Sequence, residues 1–205
     1  MRFDQILMAA ATQGGGGEGP SPKWSATQKH STVTLSFNNR QATGGATNGW
    51  ARGETSQTGT AKIYWASTVA ALVGDDAVMG MCASTFAPAS WAGRWVTGGA
   101  YLAYRPFTGT VVSNGSTTAT FTSATTNDVV MQAFDIAANK WWVGKNGTWF
   151  NSGDPAAGTG NTGTVPAGTV FYQIGGVAGG GTAFRFTAAP LAYTIPSGFT
   201  HWVTP

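Results

Sequence analysis

The sequence predicts an all-β fold, a single antiparallel sandwich, and three observations carry that expectation. Glycine supplies 30 of the 205 residues, charged residues only 9% and aromatics 12%. That is a composition of many turns and short strands; long amphipathic helices would need far more Glu, Lys, Leu and Arg. Residues 128–136 place Val129, Met131 and Ala133 on one face and Val130, Gln132 and Phe134 on the other, the pattern of a strand covered on both sides. Directly after it, Lys140-Trp141-Trp142-Val143, Asn146-Gly147 and Thr148-Trp149-Phe150 read as a hairpin ladder with aromatic packing units, because Asn-Gly adopts the positive φ angles of a tight turn. A hydrophobic fraction of 42% is ample for one core at this length and leaves no room for a second globular domain.

The elements follow from the N-terminus. Phe3, Ile6, Leu7 and Ala10 recur at helical spacing, Asp4 sits where a helix start favours negative charge, and the glycines at 14–17 end the run. This predicts a short N-terminal helix or extended anchoring segment with a Gly/Pro linker over residues 1–22, ahead of a sandwich over 23–205. An apolar stripe on a tether suits docking, so Phe3, Ile6 and Leu7 are the candidate anchor to a homo-oligomer or a larger assembly. Residues 6–11 are too few to span a membrane and follow Asp4, so neither a transmembrane segment nor a signal peptide is expected. Residues 31–37 alternate as a strand with one apolar face, and 38–48 read as a polar loop. Residues 108–126, rich in Thr, Ser and Gly, predict a hairpin arm turning at Ser113-Asn114-Gly115 with one exposed face, and Asp135 and Asn139 frame a further turn. The glycine cluster at 175–181 leads into a strand at 182–186, not a helix. It therefore reads as a β-turn and lacks the helix N-terminus of a phosphate cradle.

Charge narrows the function. Eleven basic against eight acidic residues give a net +3, and the cations are scattered singly. Nucleic acid is not an expected partner, because that binding needs a stripe of phosphate-neutralising side chains. Cys82 is the lone cysteine and reads as a small buried hydrophobe. Asp75-Asp76, Asp135 and Asp154 stand in turn or loop contexts, where a carboxylate satisfies backbone N–H groups; Asp4 and Glu18 lie in the tail. Asp75-Asp76 lacks the acidic neighbours of a calcium cage. The two histidines, His30 and His201, join no nucleophile motif, so no catalytic residue, metal site or cofactor is expected.

Aromatic surface is what remains. Nine tryptophans exceed what one core of this size requires, and Ser90-Trp91-Ala92-Gly93-Arg94-Trp95 sets two beside an arginine in a glycine-containing loop. Trp and Arg dominate recognition hot spots, so Trp91, Arg94 and Trp95, with Tyr101, Tyr104 and Arg105 nearby, are the candidate partner-binding residues. Trp141, Trp149, Phe171 and Phe184 are expected in the core. Exposed tryptophan with Asn/Asp loops also suits stacking on sugars, which makes a carbohydrate-binding protein the alternative.

The order of segments resembles the SPRY (B30.2-like) family: an aliphatic strand ending in Asp135, Trp141-Trp142, then Lys145-Asn146-Gly147. Similar wording continues in Gly153-Asp154-Pro155, in residues 171–175, in Phe184-Arg185-Phe186 and in residues 193–199. With Lys62-Ile63-Tyr64-Trp65 and Val78-Met79-Gly80-Met81 as early core strands, the resemblance covers about residues 59–202 and is most specific in the C-terminal half. It implies a bent antiparallel β-sandwich and a non-enzymatic recognition module whose loops at one end bind protein partners. The polar Thr/Gly/Ala wording is similar to SPRY-like proteins of tailed bacteriophages, and the opening MRFDQILMAA resembles the N-termini of phage structural proteins. The resemblance thus implies a virion component, a decoration, fibre or adsorption module assembled in the host cytoplasm. Its partners would be other virion proteins through residues 1–22 and a host surface protein or glycan through the sandwich.

Overall fold

The structure, a computed structural model, describes residues 21–74, 77–88, 100–186 and 193–202. Two sheets face each other. The first runs β1 (Trp24–Lys29), β4 (Gly49–Thr58), β13 (Val170–Val177), β6 (Val78–Ala83), β7 (Tyr101–Arg105), β8 (Thr110–Ser113) and β9 (Ser116–Thr120). The second runs β12 (Thr148–Trp149), β11 (Lys140–Lys145), β10 (Val129–Asp135), β5 (Lys62–Ala71), β14 (Ala183–Phe186), β3 (Gln41–Gly44) and β2 (Val33–Ser36). All these neighbours are antiparallel, and β15 (Thr200–His201) adds to β5 in parallel.

The alternation of β10 is realised as predicted. Val130 and Phe134 face the inner core with Trp24, Trp65, Met79, Leu102, Trp141 and Phe184, whereas Met131 and Ala133 join an outer cluster with Tyr64, Trp142 and Phe199. Gln132 is fully buried on the inner side and accepts a hydrogen bond from Trp141 Nε1 at 3.2 Å. A third cluster, Trp50, Val78, Cys82, Phe86, Tyr101, Ala103, Val112 and Ile174, lies on the outer face of the first sheet. Burial on both sides explains why β6, β7, β10 and β11 read as near-continuous apolar runs.

Turn chemistry supplies the corners. Asn146 and Gly147 adopt φ of 49° and 89° as the hairpin requires. Asn146 Oδ1 accepts the Val129 N–H at 2.8 Å, its Nδ2 donates to Asp128 at 2.6 Å, and Lys145 Nζ donates to the Ser123 carbonyl at 2.7 Å. Lys-Asn-Gly is therefore a structural corner that clamps the start of β10. Asp135 accepts the Ala138 N–H at 2.9 Å and pairs with Lys62 at 3.0 Å, while Asp154 accepts the Ala157 N–H at 3.1 Å. Both are turn carboxylates, as their sequence context indicates.

Two expectations change, and two strands go unread in the sequence. Residues 38–48 are not all loop: Gln41–Gly44 form β3, with Ala42 and Gly44 buried. Gly175 and Gly176 lie inside β13, where an added Cβ would stand 2.6 Å from the Trp24 ring and 2.6 Å from Val78. The turn proper uses Gly180 and Gly181, at φ of 87° and 102°. β1 and β4 carry no clean alternation in the sequence. Both are bent by bulges, which break the period of two.

Candidate partner-binding surface

Residues 84–100 join β6 to β7; among the described residues of this connection Phe86 packs in the outer cluster of the first sheet and Ala100 against the inner core. Phe86, in the connection, and Tyr101, the first residue of β7, pack edge-on against Trp50 with centroids 5.4 and 5.5 Å away, and against each other at 5.8 Å. Such pairs add to the area they bury, so the trio fixes where the connection leaves the sheet. Beside it, Arg52 of β4 stacks 4.0 Å over the Tyr172 ring and donates from Nη1 to the Ser84 carbonyl at 3.4 Å. Arg52 and Tyr172 are half-buried, and Ser84, Thr85 and Ala87 are exposed. The result is a rigid rim of arginine and tyrosine next to exposed backbone, chemistry suited to a polar, partly aromatic protein surface.

The sequence-predicted site residues divide. Trp91, Arg94 and Trp95 lie outside the described residues, as do the anchor residues Phe3, Ile6 and Leu7 and the Asp75-Asp76 pair. Tyr101 and Tyr104 are fully buried and Arg105 is 8% exposed, so these three are core and not contact surface. The reason is register: β7 is an interior strand between β6 and β8, with Tyr104 on the inner side and Tyr101 on the outer cluster. Tyr104 donates to the Thr122 carbonyl, and burial, with Asp128 adding, pushes its hydroxyl pKa well up.

The tryptophan excess is also corrected. Trp24, Trp50, Trp65, Trp141, Trp142 and Trp202 are at most 2% exposed, and Trp149 is half-buried over Tyr64. Three apolar layers, not one, absorb them. Cys82 is the buried hydrophobe expected: burial pushes its thiol pKa well up, against the opposing pull of Arg52 and the Tyr172 backbone. Sequence reasoning missed Arg52 and Tyr172, because only the bulged β4–β13 register brings them together.

No family model matches the sequence, and no curated protein is similar to it. Solved structures are similar in shape. The SPRY domain of human HERC1 superposes with a TM-score of 0.65 at 16% identity, covering 82% of this chain and 99% of that one. The TRIM65 PSpry domain gives 0.57 at 8% identity over 82% and 89%, and a further human SPRY domain 0.51 at 12% over 76% and 94%. The fold is that of SPRY domains, as the order of motifs indicated.

Proposed function

We propose that the chain is a non-enzymatic protein-recognition module that binds its partner at the 84–100 connection, with Arg52 and Tyr172 as its fixed rim. The observation that carries this is the Trp50–Phe86–Tyr101 trio, which fixes residues 86 and 101 on one face of the first sheet, and between those two points the sequence carries Trp91, Arg94 and Trp95. Commitment of Asp135 and Asp154 to turns supports a non-enzymatic role. In its native setting the chain is a structural component of a tailed-phage particle, assembled in the host cytoplasm. Residues 1–22 anchor it on other virion proteins, and the sandwich acts as a decoration, fibre or adsorption module toward a host surface protein or glycan. This setting rests on the N-terminal and compositional wording of the sequence.

Affinity capture from infected-cell lysate tests both parts, using the full chain, a version beginning at Lys23 and an Arg94→Ala variant. Particle polypeptides retained by the full chain and lost from the shortened one support anchoring, and a further partner lost only from Arg94→Ala supports the loop. Retention of the same polypeptides by all three overturns the assignment. The carbohydrate reading now rests on Trp91 and Trp95, since the described tryptophans are buried or half-buried; glycan binding abolished by Trp91→Ala would favour it.

A further inference from the structure

The turn between β2 and β3 carries a feature that packing does not explain. Phe37, Asn38 and Asn39 take φ of 51°, 53° and 60° in succession. Asparagine tolerates the left-handed region, but a bulky residue there is an outlier that carries strain. Phe37 is nonetheless 58% exposed, so no buried contact offsets that strain. The turn is held rigid by the Arg40 N–H on the Phe37 carbonyl at 3.1 Å and the Trp24 N–H on the Asn39 carbonyl at 2.8 Å. Strained residues held by their surroundings concentrate at functional positions.

Above the ring lies Arg185, its guanidinium carbon 5.5 Å from the Phe37 centroid. Arg185 stands opposite Gln41 in β3 and Thr68 in β5. Thr34, Ser36, Gln41 and Thr43 share its face by register, and none carries a charge. Among the described residues no carboxylate pairs with Arg185: Asp128 and Asp135 pair with lysines, Asp154 caps its own turn, and Glu54 lies on β4 of the other sheet. A guanidinium stacked on a ring keeps its N–H edge open to a carboxylate and is pre-ordered to receive it.

We propose that Phe37 and Arg185 form a docking point for an acidic segment of a partner protein, a carboxylate pairing with the guanidinium edge and an adjacent aliphatic side chain covering the Phe37 ring. One cation in an uncharged field fits a single carboxylate, whereas a nucleic-acid backbone needs several. The inference is independent of the 84–100 surface.

Fluorescence anisotropy at low salt tests it with a fluorescein-labelled Glu-Asp-Leu-Asp-Glu peptide and a Lys-Lys-Leu-Lys-Lys control. Wild type binds the acidic peptide saturably below about 1 mM and not the basic one. Arg185→Gln and Phe37→Gly each weaken binding by about tenfold or more. Lys140→Gln, on β11 at the far side of the same sheet, leaves it unchanged. Phe37→Gly also raises the unfolding temperature, because glycine relieves the backbone strain, so its loss of binding is not loss of fold. Wild-type affinity in both Arg185→Gln and Phe37→Gly, equal loss in Lys140→Gln, or no saturable binding by wild type would overturn the proposal.

Discussion

Asn146 shows how much one turn residue decides. It supplies a left-handed φ of 49°, accepts the Val129 N–H and donates to Asp128, so a single side chain aligns the starts of β10 and its neighbouring hairpin. Asp128 is partly buried, which raises its pKa. The Thr125 backbone N–H, the Asn146 amide, Lys145 and the Thr125 hydroxyl outweigh that and leave the carboxyl below its ordinary value of 3.8. Asn146→Ala removes two hydrogen bonds and places a Cβ-bearing residue without local hydrogen bonding in the left-handed region. We expect it to cost about 2–3 kcal/mol in urea unfolding, and Asn146→Gly less, because glycine keeps the φ. Equal effects would mean that the turn geometry contributes nothing. The Asn-Gly signal was legible in the sequence because the chemistry is local. The burial of Tyr101 and Tyr104 was not, because it depends on which strands flank β7.

At the scale of elements, the open edges are managed without charge-rich strands. On β9, Thr118 is the extra residue of a bulge and its hydroxyl bonds the Val111 carbonyl at 3.4 Å; on β2, Lys29 Nζ donates to the Val33 carbonyl at 2.7 Å; β12 is two residues long. Each device disrupts or caps an edge that could otherwise pair with another chain. The C-terminal segment is the least conventional element. β15 lies parallel to β5, the Trp202 N–H donates to the Tyr64 carbonyl at 2.7 Å, and the His201 ring packs edge-on to Tyr64 at 6.1 Å. Burial lowers the His201 pKa from 6.5, with a smaller opposing contribution from the Trp202 backbone. The unfolded chain therefore takes up this proton first as pH falls. The contribution of a neutral His201 to stability is complete above about pH 6.5 and is lost as pH falls below it. Thermal unfolding between pH 8 and 5 should show that decline, reduced in His201→Gln; an identical pH profile in the variant would sink the assignment.

For the whole molecule, the decisive contact joins the chain's end to its centre. Trp202 sits in the inner core, 5.0 Å from Trp65 and edge-on to Phe134 at 6.3 Å, with its Nε1 donating to the Thr55 carbonyl at 3.2 Å. Residues 193–201 meanwhile lay Ile195 and Phe199 over the outer cluster of Tyr64, Met131 and Trp142. A Trp202→Ala substitution should cost about 3–5 kcal/mol, the range for an aromatic cavity in a packed core. A variant unfolding at wild-type denaturant concentration would show that the segment is an appendage and not part of the core.

The sequence by itself determined the all-β class, the both-faces-buried β10, the Asn-Gly corners, the turn roles of Asp135 and Asp154 and the order of motifs that the SPRY fold shares. These are local properties of side-chain period and of φ preference, and a short window contains them. Only the tertiary structure decided that the tryptophans fill three apolar layers, that β1, β3 and β4 are strands, and that Arg52 meets Tyr172 while Arg185 meets Phe37. Those pairings join strands far apart in the chain. A bulge shifts which face a residue occupies, and no local pattern records where the partner strand will lie.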